Sequence, residues 1–378
     1  MAAGLVLFYL LATGLLAWVA ASSSCSASNG ADTYRPKPIR PTEPKGEQQC
    51  YLGDLFESSI GISILNLCDL DLASKTFYAE GMVWLKYASL PDWLDHWDEE
   101  IIEAPIKALR FVNNVERHDL TVELEPAKPV QDNDGLFIQW AKFSGRFVAN
   151  QLDLRRFPFE TIRLPIEVEL EDMYASETSL TYQQSGSLIA TGAELTGYKL
   201  RGASVSQSIH SYRTNWGWNL AVSCNGGADL AEFDNIRACV DYARSIRSSV
   251  LGVFLPLAVM VCVVLCVPLI DIHQHENRVV IPASVLLVLV FLQDGYKKIL
   301  PPGLSYPTLA DLIYAACFVL TIGVFASGVV TANAYLASQD ASQAVVRILN
   351  SVSHSIFLVN IIYLATSICL LIILTGRK

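Results

Sequence analysis

The 378 residues contain no Gly-x-Ser-x-Gly elbow, no His-Glu-x-x-His pair, no Cys-x-x-Cys pair and no phosphate-binding Gly-x-x-x-x-Gly-Lys. Those patterns place a nucleophile, a metal or a phosphate at defined spacing, so their absence leaves no motif for catalysis. The chain is not expected to be an enzyme, and no cofactor or metal is expected. Charge is scarce in the last third. Residues 249–378 hold 5 of the 37 acidic and 6 of the 27 basic residues, so the front part carries 21 − 32 = −11 and the back is nearly neutral. With 52% hydrophobic residues and a mean hydropathy of +0.35, the chain is too apolar for one soluble globule. A lipid bilayer is therefore an expected partner, and nucleic acid is not expected for a chain of net charge −10.

The N-terminus lacks basic residues before its apolar run, Leu5 to Ala21, which small residues follow. The run and its small-residue flank predict a signal peptide over 1–24, cleaved between Ala21 and Ser28. The missing basic flank leaves a retained anchor helix as the alternative. Residues 25–49 are polar and Pro-rich and read as a flexible linker. Of nine cysteines, Cys25, Cys50, Cys68, Cys224 and Cys239 fall in the exported part. A Cys224–Cys239 disulfide is favoured for closing a hairpin, with free thiols as the alternative.

Residues 50–245 read as an all-β, immunoglobulin-like sandwich. Short alternating segments such as KTFYAEGMVWLKYA, DLTVELEP, LFIQWAKFSGRFVA and IRLPIEVEL are separated by the turn signals DNDG and CNGG. Residues 246–378 read as a four-helix transmembrane domain. Ser248 to Ile270, Leu312 to Ala337 and Ile348 to Thr375 lack Asp, Glu, Lys and Arg and are each long enough to cross a bilayer. The remaining segment is free of charge only from Val279 to Gln293. At helical spacing it aligns Val280, Ser284, Leu287, Phe291 and Asp294 on one face, with Pro282 expected in the first turn. Ser and Asp on an inner stripe suit a water-lined channel better than lipid.

One stretch breaks the strand pattern. QLDLRRFPFETIRLPIEVEL, 151–170, opens with Asp153, Arg155, Phe157-Pro158-Phe159 and Glu160 before its alternating half. This string is similar to the signature loop of the pentameric ligand-gated ion channels, the Cys-loop receptor superfamily. KTFYAEGMVWLKY, LRFVNN, SVLLVLVFL and LPPGLSYPTLAD extend the resemblance over about residues 55–375. Seven positions either side of Phe157 stand Asn150 and Leu164, so the family's loop disulfide is missing. With the short Ala337 to Val346 connection, the chain resembles the bacterial branch.

The resemblance implies a homopentamer, each subunit having four identical partners, in the plasma membrane or the inner membrane of a Gram-negative cell. It is multi-pass, with the N-terminal domain extracellular or periplasmic. An agonist binding between those domains opens a central pore lined by the second membrane helix. The knuckle Phe157-Pro158-Phe159, with Asp153, couples sandwich to pore. Glu160 is expected beside Arg244, which lies twelve before Pro256 at the family's spacing, with Arg247 in reserve, and Asp71 or Asp69 completes the cluster. Ser284 and Leu287 match the family's polar ring and apolar collar, and Phe291 lengthens the collar.

Glu276, in HQHENR, is expected to select monovalent cations at the cytoplasmic mouth, and Asp294 and the acidic front push the same way. Lys297 and Lys298 push against it, and an anion-selective channel is the alternative. A non-conducting sensor of the same fold is the other alternative, because the stripe is so apolar. The agonist is an unknown small molecule or protons. Among the loops expected around it are Phe111 to Val115, Glu171 to Glu177 and the tongue Ser211 to Asp229. Trp216 and Trp218 are expected to cap it, with Trp84, Trp140 and Tyr174 behind; a core role is the competing reading for each. His118 and His210 are the candidate proton sensors.

Overall fold

The computed structural model describes residues 33–36, 55–91, 99–116, 120–171, 173–175, 178–184, 186–191, 193–212, 231–337 and 343–376, with Val6, Tyr9, Leu10, Thr13 and Gly14 near the N-terminus. Trp216, Trp218, Cys224 and His118 lie outside the described residues. The chain divides into two compact units. One comprises Ser28–Leu152 and Thr161–Ala243, the other Met1–Ala27, Asp153–Glu160 and Arg244–Lys378.

The first unit is built of two sheets. Strands β1 (Thr33–Pro36), β10 (Tyr198–Tyr212), β11 (Ala231–Arg244), β8 (Thr161–Leu170) and β4 (Leu109–Phe111) make one in that order. Strands β5 (Thr121–Leu124), β7 (Phe137–Val148), β3 (Thr76–Tyr87), β2 (Phe56–Asp71) and β9 (Thr178–Tyr182) make the other, with β6 (Val130–Gln131) also on β7. A short helix, α1 (Glu99–Glu103), precedes β4.

Alternation sets which face is buried. In β3, Phe77, Ala79, Val83 and Leu85 are buried, while Tyr78, Glu80, Trp84 and Lys86 between them are half-buried. The register to β7 runs unbroken from Thr76↔Val148 to Tyr87↔Phe137. The sheets meet through aromatic rings: Phe111 of β4 lies 4.9 Å from Phe143 and 5.8 Å from Phe147, both on β7. Buried Asn113, just after β4, ties β7 to β8. Its Nδ2 donates to the carbonyls of Val148 (3.0 Å) and Pro165 (2.7 Å), and its Oδ1 accepts from the Glu167 amide (3.0 Å).

Two expectations are corrected here. Thr33–Pro36, read as linker, pairs as β1 with β10 from Thr33↔Ser211 to Pro36↔Ser208. Thr and Tyr favour an extended backbone, and Pro36 sits at the end of an edge strand, where a missing N–H costs little. Cys239 is a free thiol, so it makes no disulfide with Cys224. It is buried within β11 opposite Pro165, and burial pushes its pKa up.

Among the described residues, the second unit holds four helices long and apolar enough to cross a membrane, and the chain is a multi-pass membrane protein. The first span, Val250–Leu269, continues from α2 (Ile246–Ser249) through a π-turn into α3 (Leu255–Cys266). The others are α4 (His275–Lys297), α5 (Leu309–Leu336) and α6 (Gln343–Gly376). Helix α4 exceeds its charge-free stretch. Its 23 residues give about 35 Å at 1.5 Å per residue, so Glu276, Arg278, Asp294 and Lys297 are inside the helix. Pro282 is therefore interior and not in the first turn. It cannot donate to the Arg278 carbonyl. Gly328 of α5 packs against that carbonyl, where a Cβ would be crowded.

Candidate functional site

The Asp153–Glu160 loop is held by the ends of three membrane helices. An α-helix starts with amides that have no partner in their own first turn, and the loop supplies partners to α5. The amide of Leu309 donates to the Arg155 carbonyl (2.8 Å), and that of Ala310 to the Phe157 carbonyl (3.1 Å). Thr308 and Asp311 close a reciprocal capping box on the same turn. Tyr306, just before it, accepts from the Leu154 amide (3.2 Å) and lies beneath the Arg155 guanidinium at 5.0 Å. The Asp153 carboxylate accepts from the Arg155 amide (3.1 Å) and fixes the start of the turn.

The knuckle reaches the other two helices. Phe157 is fully buried, and its ring is 6.2 Å from that of Tyr296 at the end of α4. The Tyr296 hydroxyl in turn donates to the Asp311 carboxylate (2.6 Å), linking α4 to the α5 cap. Ser249 Oγ donates to the Pro158 carbonyl (2.6 Å), and the Phe159 ring stacks on Phe254 at 5.5 Å, so the first span is engaged as well. The Phe157–Pro158 bond is cis.

Glu160 is fully buried and accepts from Arg244 at 2.9 Å; Arg244 also stands over the Phe157 ring at 5.1 Å. The backbone joins the same two residues, Arg244 N to Glu160 O at 3.1 Å. Arg247 is exposed in α2. Asp71 belongs to the other unit, as the last residue of β2 before the turn into β3. Its carboxylate accepts from Ser74 Oγ (2.7 Å) and the Ala73 amide (2.9 Å). The Ser74 hydrogen bond holds its pKa below the usual carboxylate range.

Helix α4 has two unlike faces. Arg278, Pro282, Val285, Leu289 and Tyr296 are buried. Glu276, Val280, Ser284, Leu287, Phe291 and Asp294 are exposed, Leu287 at 59% and Phe291 at 67%. Steps of three and four residues put the exposed set on one side of the helix. Ser284 Oγ bonds back to the Val280 carbonyl (3.0 Å). Asp294 pairs with Lys298 at 2.8 Å, both largely exposed. At the other end Glu276 occupies the first turn, where a carboxylate suits the helix dipole.

The burial of Arg278 explains why α4 keeps this rotation. Its Nη1 donates to Ser353 Oγ of α6 (2.6 Å), Nε to the Ile270 carbonyl (2.8 Å), and Nη2 to the same carbonyl and to that of Pro268 (3.4 Å). One guanidinium thus ties the turn before α4 to α6 and faces away from Glu276's side of the helix.

The expected agonist residues separate into two groups. Trp84 and Trp140 stand opposite each other on β3 and β7, half-buried. The Trp84 indole covers Gly61 of β2, where any Cβ would collide with it. Tyr174 follows β8 on the other sheet, with its ring 5.3 Å from Phe233, which also meets Tyr212 at 5.6 Å. Beside these rings Glu169 is buried and accepts from Tyr212 (3.0 Å) and Asn235 (3.1 Å), with His210 Nδ1 at 2.5 Å. Within 111–115, Phe111 and Asn113 are buried in the core, whereas Val115 is exposed. No family model matches the chain, and no curated protein matches it.

The two ion pairs of contrasting burial give a test. Arg244→Ala takes the guanidinium from a fully buried carboxylate, and such losses cost about 3–5 kcal/mol. Asp241→Ala breaks a bidentate pair with Arg163, which is 58% exposed, and exposed pairs are worth about 0–1 kcal/mol. Thermal denaturation of the detergent-extracted protein is expected to drop clearly for Arg244→Ala and barely for Asp241→Ala; equal midpoints would remove Arg244 from the site's support.

Proposed function

We propose that five copies of this chain form a ligand-gated, cation-selective channel of the pentameric, Cys-loop receptor kind, with α4 of each copy lining the pore. The observation that carries this reading is the division of α4. Its buried face packs within the subunit, and its open face carries Glu276, Ser284, Leu287, Phe291 and Asp294. A helix that meets only lipid has no use for Glu, Ser and Asp on its open side. Five such faces around an axis would give a polar entrance at Glu276, a hydroxyl ring at Ser284 and an apolar collar at Leu287 and Phe291. Water leaves a narrow apolar collar because its walls return no hydrogen bonds, and ions stop with it.

The docked loop supports the gating half of the proposal. Strands β7 and β8 run directly into it, and β11 runs through Arg244 into the first span. An agonist seated between neighbouring sheet domains would shift these strands. Their movement would be passed on by the α5 amides, the Phe157–Tyr296 contact and the Phe159–Phe254 stack, which bear on the ends of α3, α4 and α5. The agonist is a small molecule or a proton, and Tyr174 with the Tyr212–Phe233 rings offers an aromatic surface to a cation. In this reading the sheet domain is extracellular or periplasmic, and Glu276 lies at the cytoplasmic mouth.

The apolar stripe also favours a sensor that passes no ions, and one substitution separates the two. Leu287→Thr adds a hydroxyl to each collar position, so a channel is expected to open at lower agonist concentration or to leak without agonist. Voltage-clamp recording beside a measurement of surface protein checks this. Unchanged or smaller currents at normal surface expression would remove Leu287 as the gate.

Selectivity rests on Glu276. Under a sodium chloride gradient the reversal potential of the parent is expected near the sodium value, and Glu276→Ala is expected to lower conductance and move it toward the chloride value. A parent reversal potential already at the chloride value would overturn the cation assignment.

A further inference from the structure

Near the N-terminus, Val6, Tyr9, Leu10, Thr13 and Gly14 are helical. Tyr9 is 4% exposed and lies between α5 and α6. Its hydroxyl donates to Asn360 Oδ1 of α6 (2.7 Å) and approaches the Leu320 carbonyl of α5 (3.4 Å). Its ring stacks on Tyr363 at 4.2 Å with an interplanar angle of 19°. Gly323 provides the space, since a Cβ there would collide with the Tyr9 hydroxyl. Thr13, one turn on, is half-buried, whereas Val6 and Leu10 are exposed. Among these five residues the two polar ones, Tyr9 and Thr13, are the less exposed.

The depth of this contact matters. Leu320 and Gly323 are central in α5, and Asn360 is central in α6. An amide at mid-bilayer facing lipid is costly, because hydrocarbon offers no hydrogen-bond partner. Asn360 is fully buried, and among the described residues Tyr9 is its hydrogen-bond partner. Small residues that let helices approach, together with a polar pair across them, are how membrane helices associate. The 17 charge-free residues from Leu5 to Ala21 reach the shortest length that spans a bilayer.

We infer that the N-terminal segment is not a discarded leader but stays with the protein in the membrane, with Tyr9 seated between α5 and α6. Its partner surface is Gly323, Asn360 and Tyr363 of the same chain. The inference is independent of ion conduction and stands or falls separately from it.

The full chain with a C-terminal affinity tag, extracted from membranes, is the material for the test. N-terminal sequencing and intact mass are expected to find the chain beginning at Met1 or Ala2; a start between Ala21 and Ser28 overturns the inference. The seat is tested by treating Tyr9→Cys/Asn360→Cys with a short bismaleimide, because Tyr9 reaches Asn360 through the full length of its ring and a direct disulfide spans less than that. After proteolysis, a cross-linked peptide joining the two positions is expected at least ten-fold above either single variant. A protein with an intact N-terminus and no cross-link above the single variants would refute the seat between α5 and α6.

Discussion

A helix that begins near a membrane surface must find partners for its first amides, and in α5 those partners belong to a distant loop. The Arg155 and Phe157 carbonyls fill that role, which places the loop by hydrogen bonds of defined direction as well as by apolar contact. The remaining contacts follow from this placement. With the Phe157 carbonyl on α5, its ring falls against Tyr296, the Pro158 carbonyl faces Ser249, and Phe159 lies on Phe254. Each neutral hydrogen bond contributes only about 1 kcal/mol net. Four sets of contacts on one eight-residue loop nevertheless leave it little freedom apart from the helix ends.

The buried Glu160–Arg244 pair closes the arrangement. A buried ion pair is weak evidence of net stability, since desolvation offsets much of its attraction. Its value here is positional. It joins the residue after the knuckle to the residue that ends β11 and precedes the first membrane span, two places where the chain passes between units.

Much of this was legible in the sequence because the physical signals are local. Alternation in 76–87 and 137–148 marks strands, and long uncharged runs mark spans. The stripe of α4 follows from three- and four-residue spacing, and the structure leaves those same residues exposed. Thr308-x-x-Asp311 is a local capping-box pattern, and it marks the start of α5. What was not legible depends on contacts remote in sequence. Nothing near Arg278 announces that Ser353 will receive it, and only the position of α6 explains why this arginine turns away from Glu276. The pairing of Thr33–Pro36 with β10 was hidden by proline-rich surroundings. Cys239 suggested a disulfide from spacing alone, yet its place inside β11 keeps the thiol buried. Asn360 reads as one polar residue in an apolar run until Tyr9 is seen against it.

The central claim is that the open face of α4 meets water in a pore and the opposite face does not. Cysteine substitution at Val280, Ser284, Leu287 and Phe291, and separately at Val285 and Leu289, tests it with a charged, water-soluble thiol reagent applied during agonist-evoked current. The first four positions are expected to react and to change the current, and the last two to remain silent. Reaction at Val285 and Leu289, or at none of the six in a protein that conducts, would contradict the assignment of the pore face.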